Sequence, residues 1–296
     1  MRTKACGICG SDVLEWYRRD KAPVILGHEA VGEIVESRSS DYKIGQRIFA
    51  SHHVPCNKCY YCLEGYHTAC SLLRRTNYDP GGFSEYIRLS RENAEFGIYP
   101  LPDISYESAT LIEALGCVIR AQRLAGLKMG QRLIVFGCGV SGLLHIILAK
   151  KKGVYTIGVD INEYKLNFAK KFGCDLVLNG NRDINTLADC IVLCTGSPQA
   201  IEKTFSCLDK GSVLVFFAVP SPDIRINFPI TRFWRNEVKI ITSYGAGPKD
   251  LDEALRLVEK MDLESMITHR FPLEKIQDGF LVVERQDESM KAVVTL

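Results

Sequence analysis

Four of the chain's twelve cysteines fall between residues 56 and 70, spaced C-x2-C-x2-C-x7-C as Cys56, Cys59, Cys62 and Cys70. Spacings this short bring thiolates from one loop around a single tetrahedral ion. A closed shell of four thiolates is the ligand set of a structural Zn2+. An iron–sulfur cluster is the chemical rival, because C-x2-C-x2-C also opens ferredoxin loops. Those loops usually run on to a cysteine followed by proline, whereas Ser71 follows Cys70, which favours zinc. A second, mixed set lies upstream. Cys6-Gly-Ile-Cys9-Gly-Ser11-Asp12 looks at first like a redox C-x-x-C, yet Gly27-His28-Glu29 follows, with His28 19 residues after Cys9. A thiolate, an imidazole and nearby carboxylates form an incomplete ligand set, which an open catalytic zinc site requires. Each element alone is weak, since a lone histidine is more often structural; their joint occurrence carries the reading.

A third signature is Gly137-Cys138-Gly139-Val140-Ser141-Gly142, a G-x-G-x-x-G that follows an apolar strand-like run and opens an apolar helix. In that context Gly137 allows the tight turn and Gly139 lets backbone amides approach a pyrophosphate. Gly142 lets the helix pack on the strand, with its positive dipole end toward the phosphates. Asp160 closes the next apolar run, 18 residues after Gly142. Its carboxylate would accept the ribose hydroxyls and repel a 2′-phosphate, which predicts NAD over NADP. A structural βα turn without nucleotide is the alternative. Lys165 could lie over the ribose or the adenine edge; taken alone it reads as a solvated helix residue.

Elements to position these groups are visible in the apolar pattern. Arg132–Gly137, Thr156–Asp160, Leu176–Asn179, Cys190–Thr195, Ser212–Val219 and Val238–Tyr244 are short apolar runs. Helical segments Leu143–Lys151, Glu163–Phe172, Pro198–Cys207 and Leu251–Met261 separate most of them. Strands apolar on both faces and alternating with helices imply a parallel sheet covered on both sides. The stretch before the CIVLCT run (NGNRDINTLAD) holds at most an abbreviated helix. The first 105 residues, rich in Gly, Cys and His with β-prone runs at Ala30–Val35 and Arg47–Ala50, read as irregular β structure. The C-terminal stretch returns to mixed character and ends in a strand-like run.

Composition excludes several classes. The 296 residues give two domains at roughly 150 each. Lys and Arg number 37 against 35 Asp and Glu, so no basic excess points to nucleic acid as a bulk partner. The stretch Leu133–Ala149 is too short and glycine-rich for a membrane span. MRTKACGICG lacks the apolar run of a signal peptide, so a cytoplasmic protein with reduced thiols is expected.

The sequence resembles the zinc-dependent medium-chain alcohol and polyol dehydrogenases. The matching motifs are CGICGSD (6–12), GHE (27–29), the cysteine lobe, DPGGFSEY (79–86), LIEAL (111–115), GCGVSG (137–142) and Asp160 with Lys165. They run along the whole chain in the family's order. The sorbitol- and threonine-dehydrogenase-like branch fits best, because Glu113 stands where ethanol-type enzymes carry a third cysteine ligand. The resemblance implies an α/β fold: a Rossmann doubly wound parallel sheet plus a GroES-like, mostly β catalytic domain. It implies a catalytic domain with structural zinc lobe at 1–118, an NAD-binding domain at 119–248, and a return to the catalytic domain at 249–296.

Roles transfer residue by residue. Cys9 and His28 match catalytic zinc ligands, and Glu29 and Glu113 compete for the third-ligand position. Asp12 matches the acid that orients His28, and Ser11 the hydroxyl that takes the substrate proton. Ser141, Asp160, Lys165, Phe217, Ala218, Val219, Ser243 and Tyr244 would border NAD. A small-molecule alcohol or ketone is the implied partner, with a homo-oligomer (dimer or tetramer) and no nucleic acid or membrane. Two departures stand out. Leu14 occupies the place of a histidine that relays the proton in relatives, leaving the cofactor ribose, water or Glu113 to carry it. Only five residues precede Cys6 where the family usually has a few tens, so the catalytic domain is expected to lack its first strands. The alternatives are a non-catalytic or truncated relative that binds zinc and nucleotide, and a zinc-ribbon nucleic-acid-binding protein.

Overall fold

The computed structural model describes residues 1–296, the side chain of Asp20 excepted. They divide into two units, Met1–Gly116 with Gly245–Leu296, and Cys117–Tyr244.

In the first unit, the residues leading into Cys9 are themselves a strand, β1 (Arg2–Ile8). With β2 (Glu29–Glu33), β3 (Arg47–Ala50) and β4 (Ile98–Pro100) it forms one side of a six-stranded sheet. The remaining two strands of that sheet come from the far end of the chain. The second unit holds β5 (Arg132–Phe136), β6 (Tyr155–Asp160), β7 (Leu176–Asn179), β8 (Ala188–Leu193), β9 (Leu208–Phe216) and β10 (Lys239–Thr242). Then β11 (Ile267–Pro272) and β12 (Lys291–Thr295) complete the first sheet, whose order is β11-β12-β1-β2-β3-β4. Strand β1 is therefore central: Cys6 faces Val294 on one side and Ala30 on the other, both antiparallel. Ile8, Ile48, Tyr78, Phe83 and Val294 belong to its buried core.

The second sheet is parallel throughout, in order β10-β9-β8-β5-β6-β7. Its central strands are apolar on both faces because helices cover both, and Leu133, Ile134, Ile191, Val192 and Leu214 are fully buried. The helices Val140–Lys151, Glu163–Lys171 and Pro198–Cys207 start where capping chemistry permits. Asn162 accepts from the amides of Tyr164 and Lys165, and Ser197 accepts from Ala200 ahead of Pro198. The link from β7 to β8 contains no helix at all; Ile184 tucks into the core instead. Pairing along β9 and β10 stops at Phe216 and Thr242, shorter than the apolar runs suggest. Phe217–Val219 and Ser243–Tyr244 are thereby released into loops at the carboxyl ends of the strands, where doubly wound sheets bind ligands. No helix among the described residues is long and apolar enough to cross a membrane.

Candidate active site

The cysteine lobe is built by tight local turns. Asn57 takes a positive φ of 56°, letting the chain fold back so that the Cys59 amide donates to Cys56 Sγ at 3.3 Å. The Cys56 amide likewise donates to Cys70 Sγ at 3.4 Å. All four sulfurs lie within 4.8 Å of one another, with Cys59–Cys62 at 3.5 Å and Cys56–Cys62 at 4.0 Å. A Zn–S bond of about 2.3 Å in a tetrahedron sets sulfurs about 3.8 Å apart, so the cage already fits the ion. Amide donors to sulfur stabilise thiolate: burial works against it at Cys70, yet the amides of Cys56, Leu73 and Leu72 hold that pKa down at about 6.

The second cluster draws on three elements. Cys9 follows β1 and stands at the N-cap position of the turn Gly10–Val13, while His28 and Glu29 lead into β2. Ligand atoms of Cys9, His28 and Glu29 all lie within 4.8 Å of one another. Glu113, half-buried in the first turn of the helix Ile112–Leu124, stands outside that set. Asp12, only 6% exposed, backs the cluster. Its Oδ2 accepts from the Cys9 amide at 3.0 Å, and its Oδ1 lies 3.4 Å from His28 Nδ1. Burial opposes charge on His28, but Asp12 and Cys9 outweigh it and hold its pKa well above the usual imidazole value. A site that draws a proton so strongly is suited to a cation, and its mixed S, N, O donors match zinc.

Sequence reasoning missed two cations here. Arg18 clamps the turn: its Nε donates to Ser11 O at 2.8 Å, and its Nη2 donates to Ser11 Oγ at 3.0 Å and to Asp12 Oδ1 at 2.9 Å. Ser11 in turn donates to Cys9 Sγ at 3.4 Å. Lys291, at the head of β12, forms a buried ion pair with Glu29 Oε2 and donates to Ile8 O at 3.3 Å. Each partner of the pair is 1% exposed. A Cβ on Gly7 would lie 2.1 Å from Glu29 Oε2, so only glycine lets β1 pass the pair. Cys6 is fully buried beside this site, and burial with the Glu29 and Asp12 charges pushes its thiol pKa well up. That disposes of the redox C-x-x-C reading: Cys6 is an inert packing residue.

In the second unit, Gly137 has φ +92° and hands its amide to Val159 O at 2.8 Å, which turns the chain off β5. A Cβ on Gly142 would sit 1.8 Å from Gly137 O, whereas one on Gly139 would meet nothing within 4 Å. The loop is tight on its protein side and open at Gly139, the N-cap of a twelve-residue helix, as a pyrophosphate cradle needs. Asp160 Oδ2 accepts from the Cys138 amide at 2.7 Å and Oδ1 from the Asn162 amide at 2.9 Å. The acid therefore moors the loop as well as ending β6. Lys165 is buried, 8% exposed, which corrects the expectation of a solvated helix residue. Ser141 and Ala218 are half-buried, Val219 and Tyr244 exposed, and Phe217 packs edge-on against His145. Ser243 Oγ is buried with no hydrogen-bond partner among the described residues.

Comparison with known proteins places these sites in context. The family model for the alcohol dehydrogenase GroES-like domain matches residues 1–103, and that for the zinc-binding dehydrogenase domain matches residues 141–260. The chain is similar to an alcohol dehydrogenase of Geobacillus stearothermophilus, with 31% identity over 298 residues covering 95% of this chain and 86% of the other. It is also similar to D-altritol 5-dehydrogenase of Agrobacterium fabrum, with 30% identity over 307 residues covering 98% and 90%. A structure from Sinorhizobium meliloti 1021 with NADP bound superposes with a TM-score of 0.88 at 23% identity, over 100% of this chain and 91% of that one, a likeness of fold.

Proposed function

The chain belongs to the zinc-binding alcohol and polyol dehydrogenase family, and from that premise we propose that it exchanges hydride between a secondary alcohol and NAD. The alcohol is a carbinol of a polyol, sugar or hydroxy-amino acid. The observation that carries the reading is the gathering of Cys9, His28 and Glu29 ligand atoms within 4.8 Å, with Asp12 behind the imidazole.

In this reading Cys9 and His28 would hold the catalytic zinc with Glu29 or Glu113 as its third, exchangeable ligand, and Cys56, Cys59, Cys62 and Cys70 would hold the structural ion. Zinc held there would supply Lewis-acid chemistry, easing loss of the alcohol proton and polarising a ketone in the reverse direction. Asp12 fixes the ring of His28 through Nδ1, which leaves Nε2 for the ion. Ser11 would relay the substrate proton: Arg18 donates to one lone pair of its oxygen, which leaves the other to accept. Arg18 stays charged at any working pH and cannot accept that proton, so the hydroxyl would give up its own proton as it accepts the substrate's, to the cofactor ribose, water or Glu113. Gly137, Gly139 and Gly142 shape the pyrophosphate cradle, and Ser141 and Lys165 border it. Phe217, Ala218, Val219, Ser243 and Tyr244 line the nicotinamide side. Asp160 accepts the ribose hydroxyls, and its charge supports NAD against NADP. Association as a dimer or tetramer belongs to the same proposal and is read by light scattering.

Turnover across a polyol panel with NAD and NADP tests the proposal. Activity confined to primary alcohols, or to NADP, refutes its specific form. Two zinc ions per chain support the catalytic reading, and one supports a structural remnant. Salt-dependent nucleic-acid binding without NAD affinity would favour a zinc ribbon.

A further inference from the structure

The turn His67–Ala69 leads straight into Cys70, the last thiol of the lobe. The Ala69 amide donates to Tyr66 O at 2.8 Å and the Cys70 amide to His67 O at 3.0 Å. Cys70 is 1% exposed, so the turn sits where the buried sulfur puts it. Against this turn lies a segment from the far end of the chain, Gly245-Ala246-Gly247, with which the chain re-enters the first unit. A Cβ on Gly247 would sit 3.2 Å from His67 Nδ1, and one on Gly245 would sit 3.3 Å from Thr68 Cγ2. The same segment meets the helix Ile112–Leu124, where a Cβ on Gly116 would lie 3.1 Å from the Cβ of Ala246. Glycine at these places lets three stretches of backbone approach with no spare side chain between them.

One end of the segment is tied down. Gly247 is the N-cap of the helix Pro248–Val258, and its amide donates to Oδ2 of the buried Asp250 at 2.9 Å. Its carbonyl accepts from the amides of Asp250 and Leu251 at 3.0 and 3.1 Å. The other end, Gly245 at φ +63°, follows directly on Ser243 and Tyr244, which the reading above assigns to the nicotinamide side. Close-packed protein is stiff and passes strain on rather than absorbing it. What presses on Gly245 and Gly247 therefore sets the path of Ser243 and Tyr244.

We propose that His67 and Thr68 are positioning residues for the cofactor: the cysteine lobe, through the turn that carries them, seats Gly245–Gly247 and so fixes Ser243 and Tyr244 for the nicotinamide. The lobe then governs cofactor affinity as well as stability. The assignment rests on the dehydrogenase reading above and gives a role to residues outside both ligand sets. Such an effect is a coupling between two sites, typically worth about five-fold or more in affinity.

The test measures NADH and NADPH affinity by fluorescence titration in the zinc-loaded wild type, His67→Ala, Gly247→Ala and the double variant, with zinc content recorded for each. Gly247 has extended backbone (φ −99°), which alanine adopts readily, and its methyl would fill space that the His67 ring vacates. The expected result is an affinity about five-fold weaker in each single variant and largely restored in the double, with zinc content unchanged. Affinity equal to wild type in His67→Ala, or single losses that simply add in the double, overturns the assignment. So does a loss that appears only where an ion is lost. Should His67→Ala fail to fold, Thr68→Ser, which deletes the Cγ2 against Gly245, and Thr68→Val, which keeps it, decide the matter. Weaker binding in Thr68→Ser alone supports the assignment, and equal binding in both overturns it. Because the readout is binding, the expected pattern without oxidation of any alcohol refutes the dehydrogenase reading and leaves this assignment standing. A wild type that binds neither nucleotide overturns both.

Discussion

Replacing Lys291 with Met leaves the Glu29 carboxylate buried at 1% exposure without its counter-charge. Removing one partner of a buried ion pair costs about 3–5 kcal/mol, because the survivor keeps its desolvation without its Coulomb attraction. Local rearrangement offers little relief, since the backbone at Gly7 packs directly on the pair and β1 is held by strands on both sides. At about 2–4 °C per kcal/mol, the melting temperature of the metal-free protein should fall by roughly 6–20 °C. Glu29→Gln in the same chain removes the orphaned charge and should restore most of the loss, so a double-mutant cycle isolates the coupling. Bound zinc brings positive charge back beside Glu29, and the loss should shrink in the zinc-loaded protein. Denaturant unfolding of the four proteins, with and without zinc, measures all of this. A metal-free loss below about 1 kcal/mol, the scale of an exposed pair, refutes the reasoning; so does a double variant no more stable than Lys291→Met.

Three further outcomes follow from the second unit. Gly142→Ala forces a methyl to within 1.8 Å of Gly137 O, so NADH affinity by fluorescence titration should drop at least about ten-fold. Asp160→Ala both removes the charge that disfavours a 2′-phosphate and unties the Cys138 amide; the kcat/KM ratio of NAD to NADP should fall by about ten-fold or more. His145 is held neutral by burial, with the Lys152 charge adding to it, at a pKa of about 3 against ~6.5 when unfolded. The unfolded chain therefore takes up the extra proton first as pH falls, and stability present above ~6.5 is lost by about 1.4 kcal/mol per unit down to the native value. Between pH 7 and pH 5 the wild type should lose about 2 kcal/mol more than His145→Leu, read from urea midpoints.

Much of the fold is legible because parallel strands covered on both faces must be apolar without interruption. RLIVF, CIVL and SVLVF declare themselves, and so does the glycine loop that follows the first of them. Where the strands stop is less legible: Phe217 and Val219 continue the apolar run of β9, and only the end of pairing with β8 and β10 separates them from it. The cysteine lobe shows because its thiol spacing is local, and the mixed set shows only through the joint occurrence of CGICGSD and GHE. Arg18 does not show, since EWYRRDK reads as a solvated charge run until the chain folds back onto Ser11. Lys291 had a faint signal, a lone lysine heading the apolar AVVTL, mirrored by Glu29 heading AVGEI. Opposite charges at the heads of two buried strands suggest a pair, but nothing in one sequence says the strands flank the same neighbour.

The two candidate ion sites also differ in when a growing chain can make them. The lobe draws all its sulfurs from Cys56 to Cys70, a loop whose closure is entropically cheap and which can capture metal while most of the chain is still unordered. The ion pair behind the other site, Glu29 with Lys291, joins residues 262 apart, through a strand that must insert beside β1. Contacts of such separation form late. Metal uptake should therefore be sequential, with the thiolate lobe filled during folding and the mixed site filled only after β12 has docked.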